Sequence, residues 1–264
     1  MNKHIKRIKE KYKETKKSSL LIYLILRILV IVCMVMQILR GDWNNAFLCL
    51  LSLLLFTIPT IIEDRLKIKL PSVLESIIYL FIFSAEILGE INNFYGIIPY
   101  WDTILHTLNG FLVAGIGFSL IDLLNKNSKK IKLSTIYVAI VAFCFSMTIG
   151  VLWEFFEFGA DKYFNLDMQK DEIVSEFSSV EFDETKSNKA IKVKDMQKTE
   201  IYTNDGVITI DGGYLDIGIN DTMKDLFVNF IGAVVFCLFG YLYILDRDKY
   251  KFASNFIPEK NNTK

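Results

Sequence analysis

Residues 20–39 read LLIYLILRILVIVCMVMQIL, twenty positions interrupted only by the charge of Arg27 and the amide of Gln37. As an α-helix the stretch is about 30 Å long, the thickness of a bilayer's hydrocarbon core. A soluble helix keeps a polar face, and this one has none. The stretch therefore predicts a membrane span. A basic arm precedes it (Lys3, Lys6, Arg7, Lys9, Lys11, Lys13, Lys16, Lys17). That order suggests a secretory signal, but the apolar run is too long and no small-x-small cleavage site follows, so the segment reads as an uncleaved signal anchor.

Working outward, five further stretches are long enough to cross as helices: 44–62, 72–90, 101–124, 135–158 and 222–245. The chain then divides into a basic arm (1–19), spans one to five (20–158), a long acidic loop (159–221), span six (222–245) and a tail (246–264). The fold class expected is an all-α polytopic membrane protein, a six-transmembrane-helix bundle with a small β-hairpin excursion in the long loop. A hydrophobic content of 52% and a mean hydropathy of +0.33 exclude a disordered or fibrous chain. Thirty basic against thirty acidic residues give no net charge, which excludes the basic balance of a nucleic-acid binder.

The neutrality is a cancellation between two sides. Arg65, Lys67 and Lys69 follow span two, Lys126, Lys129, Lys130 and Lys132 follow span four, and Arg247, Lys249 and Lys251 follow span six. The alternate short connections carry only Arg40. Basic flanks stay cytoplasmic, so both termini are expected inside and the loop 159–221 outside. The inner segments sum to +13, the loop to −7 and the spans to −6. Trp43, Trp101 and Trp153 fall at the opposite boundary, the level an indole prefers. The expected location is a bacterial cell membrane, with the lipid bilayer as the first partner, no nucleic acid and an oligomeric state the sequence leaves open.

The long loop holds fourteen acids and seven lysines. Two runs of strand formers, Ile201-Tyr202-Thr203 and Val207-Ile208-Thr209-Ile210, flank Asn204-Asp205-Gly206. A two-residue turn at Asp205-Gly206 would pair Thr203 with Ile208 and Ile201 with Ile210. Lys170 to Lys189 reads as a mobile polar stretch, and the excursion as either a hairpin resting on the outer face or a decoration without a role. Cys33, Cys49, Cys144 and Cys237 all lie inside spans and read as packing.

Charged groups at membrane depth are functional candidates by default. Span four places Asp102, His106 and Gly110 on one helix face by their i, i+4 spacing. Span five ends with Glu154 and Glu157, where acids oppose the helix dipole. Span six opens with Asp221, Lys224 and Asp225, then Asn229 and Gly232; span three ends with Glu86 and Glu90. All sit in the outer half. Capping explains Asp102 and Asp221, and interhelical hydrogen bonding explains a lone His106, about as well as function does. Glu90 and Asp122 read as solvated, Arg27 as snorkelling or pairing with Glu75, and Gly110, Ala114, Gly232 and Gly240 as close helix contacts.

One histidine among carboxylates forms no three-His zinc site. Oxygen-rich donors suit Mg²⁺, Mn²⁺ or Ca²⁺, with Zn²⁺ kept among the candidates, or a metal-free acid/base pair. The first reading is therefore an outward-facing enzyme site, with His106, Asp102 and Glu154 catalytic, His106, Glu154, Glu157, Asp221 and Asp225 as metal ligands, and Asn229 beside them. Its substrate would be a lipid or lipid-linked envelope compound. A small ion- or proton-coupled carrier and a non-catalytic sensor or scaffold are the alternatives. The carrier is disfavoured by the lack of a visible internal repeat and of spans interrupted by Pro or Gly.

The series Asp102-x3-His106-x3-Gly110, Trp153-Glu154 with Glu157, then Asp221-Thr222-x2-Asp225-x3-Asn229-x2-Gly232-Ala233 resembles the uncharacterised YjdF-type bacterial inner-membrane proteins. More distantly it is similar to the VanZ-like proteins, whose founding member is associated with teicoplanin resistance. The resemblance covers residues 100–160 and 211–240, and the long loop before Asp221 departs from it. It implies a bacterial membrane protein without an assigned reaction.

Overall fold

The computed structural model describes residues 3–128 and 132–260, with backbone alone for 3–18, 127 and 259–260. The side chains of the basic arm and the residues Lys129 and Lys130 of the basic loop lie outside the described residues. Among the described residues eight α-helices are formed: α1 (Lys3–Arg40), α2 (Trp43–Leu55), α3 (Ile58–Leu66), α4 (Ser72–Ile82), α5 (Phe94–Ile97), α6 (Trp101–Asn127), α7 (Thr135–Phe164) and α8 (Ile219–Leu245). Strands are short and paired antiparallel in twos: β1 (Ile68–Lys69) with β8 (Glu259–Lys260), β2 (Glu172–Val174) with β7 (Tyr214–Asp216), β3 (Phe177–Ser179) with β4 (Ile191–Val193), and β5 (Lys198–Thr203) with β6 (Gly206–Asp211).

Among the described residues six helical segments are long and apolar enough to span a membrane: Ser19–Arg40, Trp43–Leu66, Ser72–Ile91, Trp101–Lys126, Thr135–Phe164 and Ile219–Leu245. Their exposed faces are apolar; α1 alone presents Leu24, Ile25, Ile28, Leu29, Ile31, Val32, Val35 and Met36. In water such a surface would drive association, whereas lipid is its natural solvent.

Two spans are irregular where the sequence reading expected plain helices. Span two breaks at Phe56-Thr57, because Pro59 at the start of α3 donates no N–H and its ring crowds the carbonyl one turn back. The Leu54 carbonyl accepts instead from the Thr57 amide and hydroxyl, three residues on. Span three passes from α4 into a π segment, Phe83–Ile91. There Gly89 lets the Tyr95 ring approach so closely that a Cβ would lie 2.4 Å from it. π segments concentrate at functional sites.

The chain forms two compact units, residues 1–150 with 225–264, and residues 151–224. In the first, α1 packs on α2 and α4, and the π segment on α2 and α6. Phe56 meets Tyr23 and Tyr79 edge to face, and the two tyrosine rings are tilted on each other, within a core that includes Leu26, Val30, Leu74 and Ile82. A second core joins Ala114 and Phe118 of α6, Val138 and Ala142 of α7, and Ala233 and Phe236 of α8. Arg27 donates to the Tyr23 hydroxyl, while Glu75 accepts from Ser19 at 2.5 Å and Tyr79 at 3.1 Å. Of the two readings of Arg27, snorkelling or pairing with Glu75, the pairing is not formed: each residue contacts a tyrosine instead.

The tail is not a solvated end. After α8 it folds back through a 3₁₀ turn (Lys251–Asn255), burying Ala253, Ile257 and Pro258. Phe256 reaches Phe111 in the middle of α6, 5.5 Å between ring centres, and Phe252 reaches Phe239. Non-helical backbone at such depth is tolerated because protein covers it. Asp122, read from sequence as solvated, is buried and pairs with Arg247 at 3.1 Å and Lys126 at 2.7 Å, pinning the tail's start.

In the second unit, α7 runs six residues past its expected end to Phe164, and Asp161 accepts the amides of Met168 and Gln169 at 2.6 and 2.8 Å. The stretch read as mobile is built: β2 and β3 lie in it, and Asp183 folds 183–189 around its carboxylate. The β5–β6 hairpin forms, but its pairing is shifted by two residues from expectation, with Thr203 opposite Gly206 and Ile201 opposite Ile208. Asn204 and Asp205 keep negative φ, so no mirror-image turn forms at Asp205-Gly206. Gly206, at φ +139°, takes the strained angle just after the turn.

Candidate functional site

The first unit places Asp102, His106 and Asp225 together. His106 Nε2 is 3.4 Å from Asp102 Oδ1 on its own helix and 3.6 Å from Asp225 Oδ2 on α8. Helical spacing supplies the first contact and close helix packing the second. A Cβ on Gly110 would stand 2.0 Å from the Asn229 carbonyl, and one on Gly232 1.9 Å from the Thr107 carbonyl. Only glycine lets α6 and α8 approach to that distance, one turn from the charged trio.

A polar seam lies beneath the trio. Asn109 Nδ2 donates to Asn229 Oδ1 at 3.0 Å, and Asn229 Nδ2 points to Met147 Sδ at 3.6 Å. Ser146 donates to the Gly110 carbonyl at 2.8 Å, and Gly150 packs on the Asn229 amide. Asp225 and Asn229 are each 1% exposed, whereas His106 and Asp102 keep 11% and 19% of their side chains accessible. The trio is therefore sealed on the α8 side and open at Asp102. Burying a carboxylate this far is costly without a charged partner or a cation. A buried cluster of this composition can hold a metal ion.

Glu154 and Glu157, buried on the end of α7, belong to the second unit, where Trp153 Nε1 donates to Glu157 Oε1 at 2.8 Å. Asp221 stands in the first turn of α8, accepts the Lys170 amide at 2.8 Å and lies 3.9 Å from Lys224. The sequence reading passed over Asn109, Ser146 and Met147. Asn109 had a signal, an amide three residues from His106 inside an apolar span; Ser146 and Met147 had none.

Two carboxylates of the second unit are shifted in opposite directions. The Thr185 hydroxyl, with the Lys189 amide and Ser187, holds Asp183 well below the usual carboxylate range. Partial burial, then Asp167, Asp161 and Asp216, push Asp171 up.

Six helices long and apolar enough to cross a membrane, with a buried seam of histidine, aspartate and asparagine carried by α6, α7 and α8, define a polytopic membrane protein with an intramembrane polar site. The chain belongs to the family described as predicted membrane protein (DUF2238), which it matches over residues 20–246. No curated protein and no solved structure matches it.

Proposed function

We propose that the trio of His106, Asp102 and Asp225 binds a divalent cation and forms the site of an envelope enzyme acting on a lipid or lipid-linked substrate. One observation carries the reading: His106 Nε2 faces two carboxylate oxygens at 3.4 and 3.6 Å. Both separations are longer than a good N–H···O bond, and one N–H cannot serve two acceptors well. They fit two edges of a coordination shell, since bonds of about 2.1 Å set neighbouring ligand atoms about 3.0 Å apart in an octahedron and about 3.4 Å in a tetrahedron. Zn²⁺ and Mn²⁺ fit the histidine best, and Mg²⁺ and Ca²⁺ the carboxylates.

The charge distribution supports an orientation with both chain ends cytoplasmic and the polar layer towards the outer face. Asp102, the most accessible of the trio, is then where substrate enters, with His106 as ligand or general base and Asp225 as the buried anchor. The resemblance to YjdF-type and VanZ-like proteins supports a role in the bacterial envelope without naming a reaction. The test is divalent-metal content and stability of purified protein beside H106A and D225A; wild-type protein without metal, together with variants of unaltered stability and phenotype, overturns the proposal.

A second reading, an ion- or proton-coupled carrier, gains from the break at Phe56-Thr57 and the π segment, because carriers bind at interrupted helices. Flux in proteoliposomes that depends on Asp225 would establish it over the enzyme.

A further inference from the structure

The second unit carries aromatic rings that its own fold leaves half in water. Phe177 opens β3, Phe182 lies in the turn after it, and Tyr214 opens β7. The Phe177 ring centre is 5.8 Å from that of Phe182 and 5.7 Å from that of Tyr214, with interplanar angles of 45° and 55°. Rings so tilted neither stack nor meet edge to face, so their faces are not used up on each other. Phe182 keeps 51% of its surface accessible and Tyr214 45%, where a cluster built only for packing would be covered.

Carboxylates stand beside the rings. β2 and β7 set Val174 opposite Tyr214 and, two positions along, Glu172 opposite Asp216. Side chains two apart on a strand share a face, so both acids lie on the Tyr214 face of the pair, about 7 Å along it. Like charges directly opposite each other destabilise an antiparallel pair. Neither acid pairs with a lysine among the described residues; Lys192 stands 2.9 Å from Glu176 instead, and Lys198 bonds Glu200. The surrounding loop, residues 159–221, holds fourteen acids against seven lysines.

Rings and acids together select the charge of a ligand. An aromatic face attracts a cation held within about 6 Å of its centre and repels an anion. Quaternary ammonium groups suit such faces best, because their charge is spread over methyl groups that shed water easily and lie against the rings. An uncharged apolar ligand would use the rings and leave the two acids facing each other. We propose that Phe177, Phe182 and Tyr214, with Glu172 and Asp216 at their side, form a binding site for a small quaternary-ammonium ligand of the choline class. The bound cation offsets the repulsion between Glu172 and Asp216, so added salt weakens the complex.

The experiment is equilibrium dialysis of the full chain in maltoside micelles against radiolabelled choline, with its uncharged isostere dimethylbutanol as competitor. Wild type is expected to bind choline saturably and at least tenfold more tightly than the isostere, and to lose affinity as NaCl is raised. F182L keeps apolar bulk without a ring face and should bind choline about five- to thirtyfold more weakly, the worth of one cation–π contact. F182W and Y214F keep the face and should match wild type or exceed it, while E172Q should weaken choline and leave the isostere unchanged. Displacement by phosphatidylcholine nanodiscs as well as by free choline extends the ligand to a lipid headgroup; displacement by free choline alone confines it to the soluble compound, and either result upholds the site. The comparison of choline with its isostere in wild type needs no variant, so misfolding of a variant does not decide the matter. Equal affinity for the two in wild type, or choline binding in F182L equal to wild type, overturns the proposal.

Discussion

Replacing Gly232 by alanine tests the geometry on which the trio depends. The added Cβ would lie 1.9 Å from the Thr107 carbonyl oxygen and 3.0 Å from the Phe111 amide nitrogen, both backbone atoms of α6 that no rotamer change can move. A carbon and a carbonyl oxygen rest at about 3.3 Å, so α6 and α8 must part locally by more than 1 Å. Overpacking of this kind costs about 1–3 kcal/mol, and a backbone clash belongs at the upper end. G110A meets the Asn229 carbonyl at 2.0 Å and should cost a similar amount. The two glycines relieve one shared approach, so once the first alanine has parted the helices the second costs less. The double variant is expected to be more stable than the sum of the singles by about 1 kcal/mol or more. The assay is reversible SDS unfolding in mixed micelles, followed by tryptophan fluorescence, with wild type, both singles and the double. Parting the helices also widens the 3.6 Å His106–Asp225 separation, so metal content should fall in G232A. A G232A protein within 0.5 kcal/mol of wild type, or strict additivity in the double, would refute the close approach.

Other consequences concern separate elements. N109L and N229L should each destabilise by about 1 kcal/mol, with a double-mutant coupling near 0.6 kcal/mol in the same assay, because intramembrane hydrogen bonds are individually modest. Asp183 binds its proton less readily folded than unfolded, so its stabilisation of 183–193 is fully present above the ordinary aspartate range and is lost as pH falls through the depressed folded value. Amide protection factors in that segment, taken against the intrinsic exchange rate at each pH, should fall on acidification in wild type and be lower than wild type already at neutral pH in D183N. R247A leaves Lys126 as the remaining partner of buried Asp122 and releases the start of the re-entrant tail. Faster protease cleavage between Asp246 and Pro258 should follow, and D122A should show the same.

The spans were legible because hydropathy is a local property of twenty residues, and it survives whatever the helices pack against. Boundaries fared less well. Pro59 was visible in the sequence, yet the break at Phe56-Thr57 depends on where the backbone finds substitute acceptors, a tertiary matter. The π segment had no sequence sign, since it answers to the Tyr95 ring packed on Gly89. The hairpin was found but shifted, because Gly206 takes its positive φ after the turn rather than within it. Within the site, i, i+4 spacing exposed the pairing of Asp102 with His106, whereas Asp225 joins them through a helix more than a hundred residues later. The tail's fold was not legible from sequence, because nothing local announces that Phe256 will meet Phe111.

The most direct test of the central claim is elemental analysis of the purified wild-type chain beside H106A and D225A, each monodisperse by size exclusion. The account predicts about one divalent ion per wild-type chain and its loss from both variants. Wild-type protein free of Mg, Mn, Ca and Zn after metal supplementation, or variants that retain the ion in full, would contradict it.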